Sequence, residues 1–168
     1  MIAMLSRFAN WIRRTLESSR QEEIPLRDEI EAMRTYLALE QLRTKEKFAY
    51  RIEVPEDDEL RRTRIPPMLV QPFLENAIQH GVLPKDGAGE IQLRIVDKGG
   101  HLQFVVEDNG VGRSPSVGQA DTTTRSSLST TITRERLRLL GDRTGRPAGV
   151  RVIDLAPGTR VEIDVPLG

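Results

Sequence analysis

Apolar residues recur at helical spacing along the first part of the chain. Residues 1–18 carry a stripe that repeats every three to four positions, formed by Ile2, Leu5, Phe8, Ala9, Ile12 and Leu16. A second amphipathic segment runs from about Pro25 to Lys47, and its apolar side holds Leu26, Ile30, Met33, Leu37 and Leu42. A short polar connection joins the two segments. This pattern predicts a helical hairpin in which each helix needs a partner surface.

The pattern changes to strand-like segments after residue 47. We predict five strands, at residues 48–54, 91–96, 101–107, 150–154 and 160–165. Glycine-containing turns at 98–100 and 157–159 predict that the last four strands form two hairpins. A third helix is predicted from about Pro66 to His80, because its apolar residues share one face and Gly81 is a typical helix stop.

A long polar stretch separates the two predicted hairpins. It runs from Gly110 to about Thr130, and a helix at 132–141, ended by Gly141, follows it. A loop of about twenty residues is unusual in a compact domain, and such loops are usually lids, binding loops or disordered. The whole pattern predicts a helical segment over residues 1–47 and an α/β domain over residues 48–168.

Composition excludes several classes of function. The chain has 168 residues, no cysteine, and 25 basic residues against 25 acidic ones. This balance gives no global attraction to nucleic acid or to an anionic membrane, and the lack of cysteine excludes disulfides and cysteine-based zinc sites. No apolar run approaches the roughly 20 residues of a membrane span. We therefore expect a soluble, cytoplasmic chain that contacts neither nucleic acid nor membrane.

The strongest candidate site is the run Glu107-Asp108-Asn109-Gly110-Val111-Gly112, directly after an apolar strand. Asp-Asn-Gly is a common turn sequence, so one interpretation is a tight turn without further function. The other is that Asp108 presents a carboxylate acceptor to an amino group on a flat ligand. Glycines at 110 and 112 would let the backbone approach that ligand closely.

The polar face of the third helix is the second candidate. Asn76 and His80 are four residues apart and so share a face, which is either merely solvated or functional. In the functional interpretation Asn76 supplies an oxygen ligand to Mg²⁺, a hard cation that keeps several waters and bridges to phosphates. Glu75 would position water or the metal. His80 would donate to phosphates, although a lone histidine is more often structural.

The order of these features resembles the GHKL superfamily, which includes the ATPase domains of gyrase, a heat-shock chaperone, histidine kinases and mismatch-repair proteins. Within that order, IPPMLVQPFLENAIQHGV and the preceding LRDEIEAMRTYLALEQLRTKEKF closely resemble LytS-type sensor histidine kinases. SSLSTTITRERLRLL resembles the helix after their lid, and APGTRVEIDVPL resembles their closing strand. The resemblance covers roughly residues 24–167, and its Gln-Pro-x-x-Glu-Asn-Ala block is highly specific.

This resemblance implies a fold and a nucleotide site. The fold is a two-layer α/β sandwich of the GHKL or Bergerat type, with a mixed sheet and helices on one face, preceded by an N-terminal helical hairpin. The asparagine that matches Asn76 holds Mg²⁺, and the aspartate that matches Asp108 binds the adenine amino group of ATP. The remaining matches are Gly110 and Gly112 along the nucleotide, Gly158 and Thr159 near the adenine end, and an ATP lid from Arg113 to about Arg125.

The sequence departs from the family in two places. The second glycine box of histidine kinases is missing, and Arg125, Ser126 and Ser127 occupy that region. We expect serine hydroxyls and backbone amides at the start of a helix to replace the glycine amides at the phosphates, with Arg125 adding charge. The phosphoacceptor motif is also absent, because the only histidines, His80 and His101, lack its context.

These observations favour the catalytic half of a histidine kinase, with Glu75 and Asn76 as its catalytic residues. It would bind Mg²⁺–ATP, position the γ-phosphate for a histidine outside this chain, and act upstream of a response regulator. MLSRFANWIRRTLE resembles the later part of the dimerisation helices, so a homodimer through the N-terminal helices is expected. One alternative is a nucleotide-binding interaction module without transfer. Another is an ATP-dependent anti-sigma serine kinase, which the Gln-Pro-x-x-Glu-Asn block argues against.

Overall fold

The computed structural model describes residues 2–113 and 120–167, with the side chains of residues 120–127 outside the description. The helices are α1 (Ile2–Ser19), α2 (Leu26–Arg43), α3 (Asp58–Arg62), α4 (Gln71–Asn76), a π-helix (Ala77–Val82) and α5 (Ala120–Thr144). The strands are β1 (Ile24–Pro25), β2 (Phe48–Glu53), β3 (Arg64–Ile65), β4 (Gly89–Asp97), β5 (His101–Asp108), β6 (Gly149–Asp154) and β7 (Thr159–Pro166).

The centre of the fold is a mixed five-stranded sheet in the order β2-β4-β5-β7-β6. Strands β2 and β4 are parallel, while β4–β5, β5–β7 and β7–β6 are antiparallel. Both predicted hairpins are confirmed, and all five predicted strands lie within two residues of the expected positions. Strands β2 and β4 alternate a buried side chain with a more exposed one, because helices cover only one face of the sheet.

Helices α2, α4 and α5 and the π-helix cover that face and share one core with it. The largest fully buried side chains come from all of these layers and include Leu26, Leu37, Phe48, Leu74, Ile78, Leu93, Phe104 and Leu137. The predicted α/β sandwich is therefore confirmed. Helix α2 belongs to the same core as the sheet, so the proposed boundary at residue 47 stays a prediction.

The opposite face of the sheet carries a line of ion pairs instead of helices. Glu107 on β5 lies 3.7 Å from Arg94 and 3.6 Å from Arg160, and Glu162 lies 3.7 Å from Arg160 and 3.1 Å from Arg151. The pair between Arg94 and Glu107, whose side chains are about a third exposed, contributes little to stability, about 0–1 kcal/mol. Glu162 is only 7% exposed, so its neighbours on this face shield it from solvent.

Two helix boundaries differ from the prediction. The helix expected at Pro66 begins at Gln71, and it continues past Gly81 as a π-helix to Val82. Met68 has a φ of +63°, which a right-handed helix does not contain, so the helix begins only after this residue. Gly81 does not end the helix. Because it has no side chain, Gly81 can approach the end of β5 closely.

The last helix is longer than predicted at both ends. It begins at Ala120, inside the stretch expected to be a loop up to about Thr130, and it runs to Thr144. Gly141 lies within it. The glycine that ends it is Gly145, which has a φ of +67° and whose N–H bonds to the Gly141 carbonyl at 2.8 Å.

Helix α1 packs on α2 but leaves its apolar stripe exposed. Trp11 contacts Tyr36, with ring centroids 5.7 Å apart. Ile2, Leu5 and Leu16 are 83%, 58% and 59% exposed, so the stripe is not buried against the domain. No helix among the described residues is long and apolar enough to cross a membrane.

The short elements α3, β1 and β3 were not predicted from the sequence. Asp57 caps α3 by accepting bonds from the backbone of Glu59 and Leu60 at 2.9 and 3.1 Å. Strands β1 and β3 form a separate antiparallel pair beside the start of α2.

Candidate functional site

Asp108 is a buried carboxylate at the end of a central strand. It is the last residue of β5 and only 7% exposed, and its Oδ1 accepts a 2.9 Å bond from the Gly110 N–H. Burial raises the pKa of Asp108, and the bond from Gly110 lowers it, with burial the larger effect. A carboxylate with one backbone partner keeps capacity to accept further donors.

Glycine allows three backbone segments to meet around this carboxylate. A Cβ atom on Gly81 would lie 2.6 Å from Asp108 Oδ1, and one on Gly110 would overlap the backbone of Gly81. The Val111 N–H also donates to the Gly81 carbonyl at 3.1 Å. The π-helix therefore rests directly on the end of β5, at a distance that only glycine permits.

Gly158 and Gly112 complete this group, which we call the glycine cluster: Gly81, Gly110, Gly112 and Gly158. Gly158 has a φ of +102°, and a Cβ there would overlap the Asp108 carbonyl oxygen. A Cβ on Gly112 would come within 3.6 Å of the Gly158 carbonyl oxygen. Thr159 is the ladder partner of Asp108. The structure thus brings together five residues predicted for the site: Asp108, Gly110, Gly112, Gly158 and Thr159.

Asn76 and His80 lie on the element that contributes Gly81. Asn76 is the last residue of α4 and half-buried, whereas His80 is exposed in the π-helix. Among the described residues, neither side chain has a hydrogen-bond or ion-pair partner. Both polar groups are therefore free to bind a ligand or a cation.

Glu75 has different surroundings from its neighbour Asn76. It is half-buried, and Gln71 Nε2 donates to it at 3.4 Å. Burial raises the pKa of Glu75, the Gln71 bond lowers it, and the negative charge of Glu40 on α2 raises it further. The charge of Glu75 in turn helps to raise the pKa of Tyr36. Its surroundings are thus helix α2, and its predicted role with water or metal remains a prediction.

Arg125, Ser126 and Ser127 lie within α5, and their side chains fall outside the described residues. The helix begins at Ala120, so these residues are more than one turn inside it. Backbone amides there are bonded within the helix, whereas only the first four are free. The prediction that residues 125–127 stand at a helix start is therefore wrong, while the predicted use of their side chains is unaffected.

Three further polar groups make contacts around the site that were not predicted from the sequence. Lys85 Nζ donates to the Asn109 carbonyl at 2.9 Å. Asn109 Oδ1 accepts from the Glu90 N–H at 2.7 Å, which ties the turn after β5 to β4. Arg113 makes a two-point bond to Asp154 on β6, at 2.8 and 3.0 Å.

A separate cavity of about 380 Å³ lies between α1 and α2. Its lining includes Arg7, Trp11, Arg14 and Tyr50, with no carboxylate and no glycine. It therefore lacks the features of Asp108 and the glycine cluster. We place the candidate site at the end of β5, where a buried acceptor and close backbone approach suit a flat ligand that carries an amino group.

Two family models match the chain. One, described as histidine kinase-, DNA gyrase B-, and HSP90-like ATPase, matches residues 65–168, and one described as histidine kinase matches residues 1–48. The first covers four of the five strands of the sheet, all except β2, together with Asp108 and the whole glycine cluster.

Known proteins show the same similarity. The sensor protein LytS of Bacillus cereus is 30% identical over 142 residues, which is 82% of this chain and 24% of LytS. The chain thus spans about a quarter of that relative's length. The histidine kinase domain of the blue-light activated kinase EL346 from Erythrobacter litoralis aligns with a TM-score of 0.66 and 21% identity, over 98% of this chain and 75% of that one. Histidine kinase ThkA, solved with response regulator TrrA, aligns at 0.58 and 14% identity, over 98% and 48%.

Proposed function

The chain belongs to the histidine kinase-, DNA gyrase B- and HSP90-like ATPase family, and we propose that it is the ATP-binding catalytic region of a bacterial sensor histidine kinase. The observation that carries this proposal is the buried Asp108 carboxylate in the glycine cluster. Such an acceptor fits the amino group of adenine, and the glycines let the backbone segments around it approach closely. The chain would work in the cytoplasm, where ATP is available.

We assign the adenine end of the site to Asp108, Gly158 and Thr159. The Asp108 carboxylate accepts the adenine amino hydrogen, and Thr159 stands beside it in the β5–β7 ladder. Gly110 and Gly112 lie in the segment that follows β5, so they would line the nucleotide between its adenine and its phosphates. Because the site buries the acceptor, a ligand without a matching donor leaves it unpaired, which costs about 1–3 kcal/mol.

The phosphate end of the site is assigned to Asn76, His80, Arg125, Ser126 and Ser127. The Asn76 amide oxygen is a hard ligand without a protein partner in the described part of the chain, so it fits Mg²⁺. When bound, Mg²⁺ would neutralise phosphate charge. His80 and the hydroxyl groups would donate to phosphate oxygens, and Arg125 would add positive charge.

Replacing Asn76 by alanine is expected to remove the metal dependence of ATP binding. Wild-type affinity should fall about tenfold or more when Mg²⁺ is chelated, a change typical of the loss of a charged contact. The Asn76→Ala variant should bind ATP weakly and equally with and without Mg²⁺. The exposed neighbour Gln79 provides a matched control, since Gln79→Ala should keep the wild-type response. Equal Mg²⁺ dependence in wild type and Asn76→Ala would contradict the assignment. Calorimetric titration measures both.

We propose that the γ-phosphate passes to a histidine outside this chain. His80 lies at the site itself, and His101 points to Asp164 on the neighbouring strand, at 3.4 Å. Transfer would need no covalent intermediate here, because positioning and charge neutralisation account for most phosphoryl-transfer catalysis. Glu75 and Asn76 would supply that positioning. The resulting phosphohistidine would then pass its phosphate to a response regulator.

A transfer assay tests this proposal directly. The chain would be mixed with γ-labelled ATP, Mg²⁺ and a segment that carries the phosphoacceptor histidine of the full kinase. Label that is acid-labile, base-stable and lost on replacement of that histidine would support the kinase. ATP binding without transfer would favour the alternative, a nucleotide-binding interaction module or pseudokinase. This alternative is favoured by one observation, that Ser126 and Ser127 stand where histidine kinases have their second glycine box.

We also propose that α1 forms a homodimer through its exposed apolar stripe. Burying residues such as Leu5 and Ile12, now 58% and 38% exposed, gives the driving force for association. The double variant Leu5→Asp, Ile12→Asp should be monomeric in sedimentation at concentrations where wild type is dimeric. Asn10→Asp, an exposed change on α1 outside the stripe, should remain dimeric. A monomeric wild type would contradict the proposal.

A further inference from the structure

A single peptide group before α4 is held from both sides by charged side chains of two other helices. The Met68 N–H donates to Oε1 of Glu29, on α2, at 3.1 Å. The carbonyl of the same peptide group, that of Pro67, accepts from Nη2 of Arg136, on α5, at 3.1 Å. The N–H and C=O of a trans peptide point in opposite directions, so this group links the two side chains.

The backbone at this point has an unusual conformation. Met68 has a φ of +63°, a value that non-glycine residues rarely adopt and that persists only where surrounding contacts enforce it. Helix α4 begins directly afterwards, and its first flanking residue, Val70, makes no side-chain capping bond. The position of α4 therefore depends on contacts from outside the helix, and the bonds from Glu29 and Arg136 are two of them.

The charges are arranged to reinforce each other. Glu29 is 4% exposed, and its carboxylate lies at the positive N–H end of the peptide dipole. Arg136 is half-buried and lies at the negative carbonyl end. Hydrogen bonds that follow one another in this way polarise and strengthen each other. The two hydrogen bonds are strongest when Glu29 is ionised, because a neutral carboxyl is a weaker acceptor and no longer attracts Arg136.

We propose that Glu29 is a positioning residue that couples α2 to the nucleotide site through the Pro67–Met68 peptide and Arg136. Helix α4 leads to Asn76 and Gly81, and α5 contains residues 125–127, so the linkage joins both sides of the proposed ATP site to the helix that follows α1. This inference rests on the proposed function. Movement of α2 relative to the sheet would change the geometry of the site.

The surroundings of Glu29 give this linkage a pH dependence. Burial raises the pKa of Glu29 to about 7, while the Met68 N–H and the charge of Arg136 lower it. The other polar side chains that line the small pocket beside Glu29 are Tyr36 on α2, Thr15 and Ser18 on α1, and Gln71 on α4. Arg136 is thus the one charged group facing Glu29 from another element among the described residues. The linkage should weaken as pH falls through about 7.

The test compares ATP affinity at about pH 6 and about pH 8 in the full chain and in Glu29→Gln, by calorimetry with Mg²⁺. Glutamine keeps the shape and can still accept from Met68, but it cannot titrate. The dissociation constant at about pH 6 divided by that at about pH 8 should be about fivefold larger in wild type than in Glu29→Gln. A factor of this size is a typical coupling between sites. Asp108 is present in both proteins, so its own protonation affects both ratios alike. Exposed Glu31, also on α2, gives the control Glu31→Gln, which should behave as wild type.

Equal ratios in wild type and Glu29→Gln would overturn the proposal. If wild type bound no ATP, the proposed function would fail, and amide chemical shifts would decide the linkage separately. In that case the amides of Met68, Gly81 and Gly110 should follow a transition near pH 7 in wild type and not in Glu29→Gln. A transition confined to Met68 would show a structural role only. Arg136→Gln, which leaves Glu29 in place, should move the transition to higher pH and serves if Glu29→Gln does not fold.

Discussion

Replacing Asp108 by alanine is expected to weaken ATP binding about hundredfold while the protein stays folded. The variant loses the acceptor for the adenine amino group, and a hydrogen bond to a charged partner is typically worth about 1.5–3 kcal/mol, or roughly 10- to 150-fold in affinity. Stability should change little, because burial already disfavours the ionised carboxylate. Calorimetry measures the affinity, and thermal unfolding measures the stability.

Asp97 offers a closely matched control for this change. Its Oδ1 accepts from the Gly99 N–H at 2.9 Å, the same local bond as that between Asp108 and Gly110. Asp97 is exposed at the far end of β4, so Asp97→Ala removes the same turn contact without touching the site. It should bind ATP as wild type does. Equal losses in both variants would mean that the effect of Asp108 comes from the turn and not from nucleotide recognition.

The pH dependence of Asp108 has opposite signs for stability and for binding. Because the pKa of Asp108 is raised in the folded protein, its contribution to stability is fully present at low pH and is lost as pH rises through that pKa. ATP affinity should change in the other direction, since the ionised carboxylate accepts the amino hydrogen more strongly. This contribution to affinity should be absent from Asp108→Ala.

Replacing Gly158 by alanine is expected to be the most destabilising single change at the site. The φ of +102° is strained for alanine, and the added Cβ would overlap the Asp108 carbonyl oxygen. Backbone strain and overpacking each cost about 1–3 kcal/mol, so we expect a loss of about 3–5 kcal/mol in the free energy of unfolding. Relief of the overlap would move β7 away from β5 and displace Asp108, so the folded fraction should also bind ATP poorly.

Gly99→Ala separates backbone strain from overlap. Gly99 has a similar φ of +91°, but a Cβ there would meet no atom within 4 Å. Its cost should be limited to the strain, about 1–2 kcal/mol. Urea unfolding of both variants gives the comparison. A loss in Gly158→Ala no larger than that in Gly99→Ala would contradict the close packing of the cluster.

The strands were predictable from sequence because their signal is local. Alternating side chains and glycine turns locate β4, β5, β6 and β7 within two residues. The start of α4 and the course of α5 were not predictable in this way, since tertiary contacts determine them. Gly81 is the clearest case. Local preference makes it a helix stop, whereas its contact with Asp108, 27 residues later in the sequence, lets the helix pass through.

The site was only partly predictable. Asp108, Gly110 and Gly112 form one motif, so the sequence alone identifies them as a unit. Lys85 and Arg113 were missed, because their partners Asn109 and Asp154 are distant in the chain. The linkage between Glu29 and Arg136 could not be foreseen either, since it passes through a backbone peptide. No pattern of side chains along the sequence records such a contact.

Recognition of adenine by Asp108 is the central claim, and titration of wild-type protein with ATP and with GTP tests it most directly. Guanine presents an oxygen where adenine presents the amino group, and the carboxylate would repel that oxygen. The account predicts micromolar binding of Mg²⁺–ATP and binding of Mg²⁺–GTP that is weaker by about hundredfold or more. Equal affinity for the two nucleotides, or no binding of ATP by the folded chain, would contradict it.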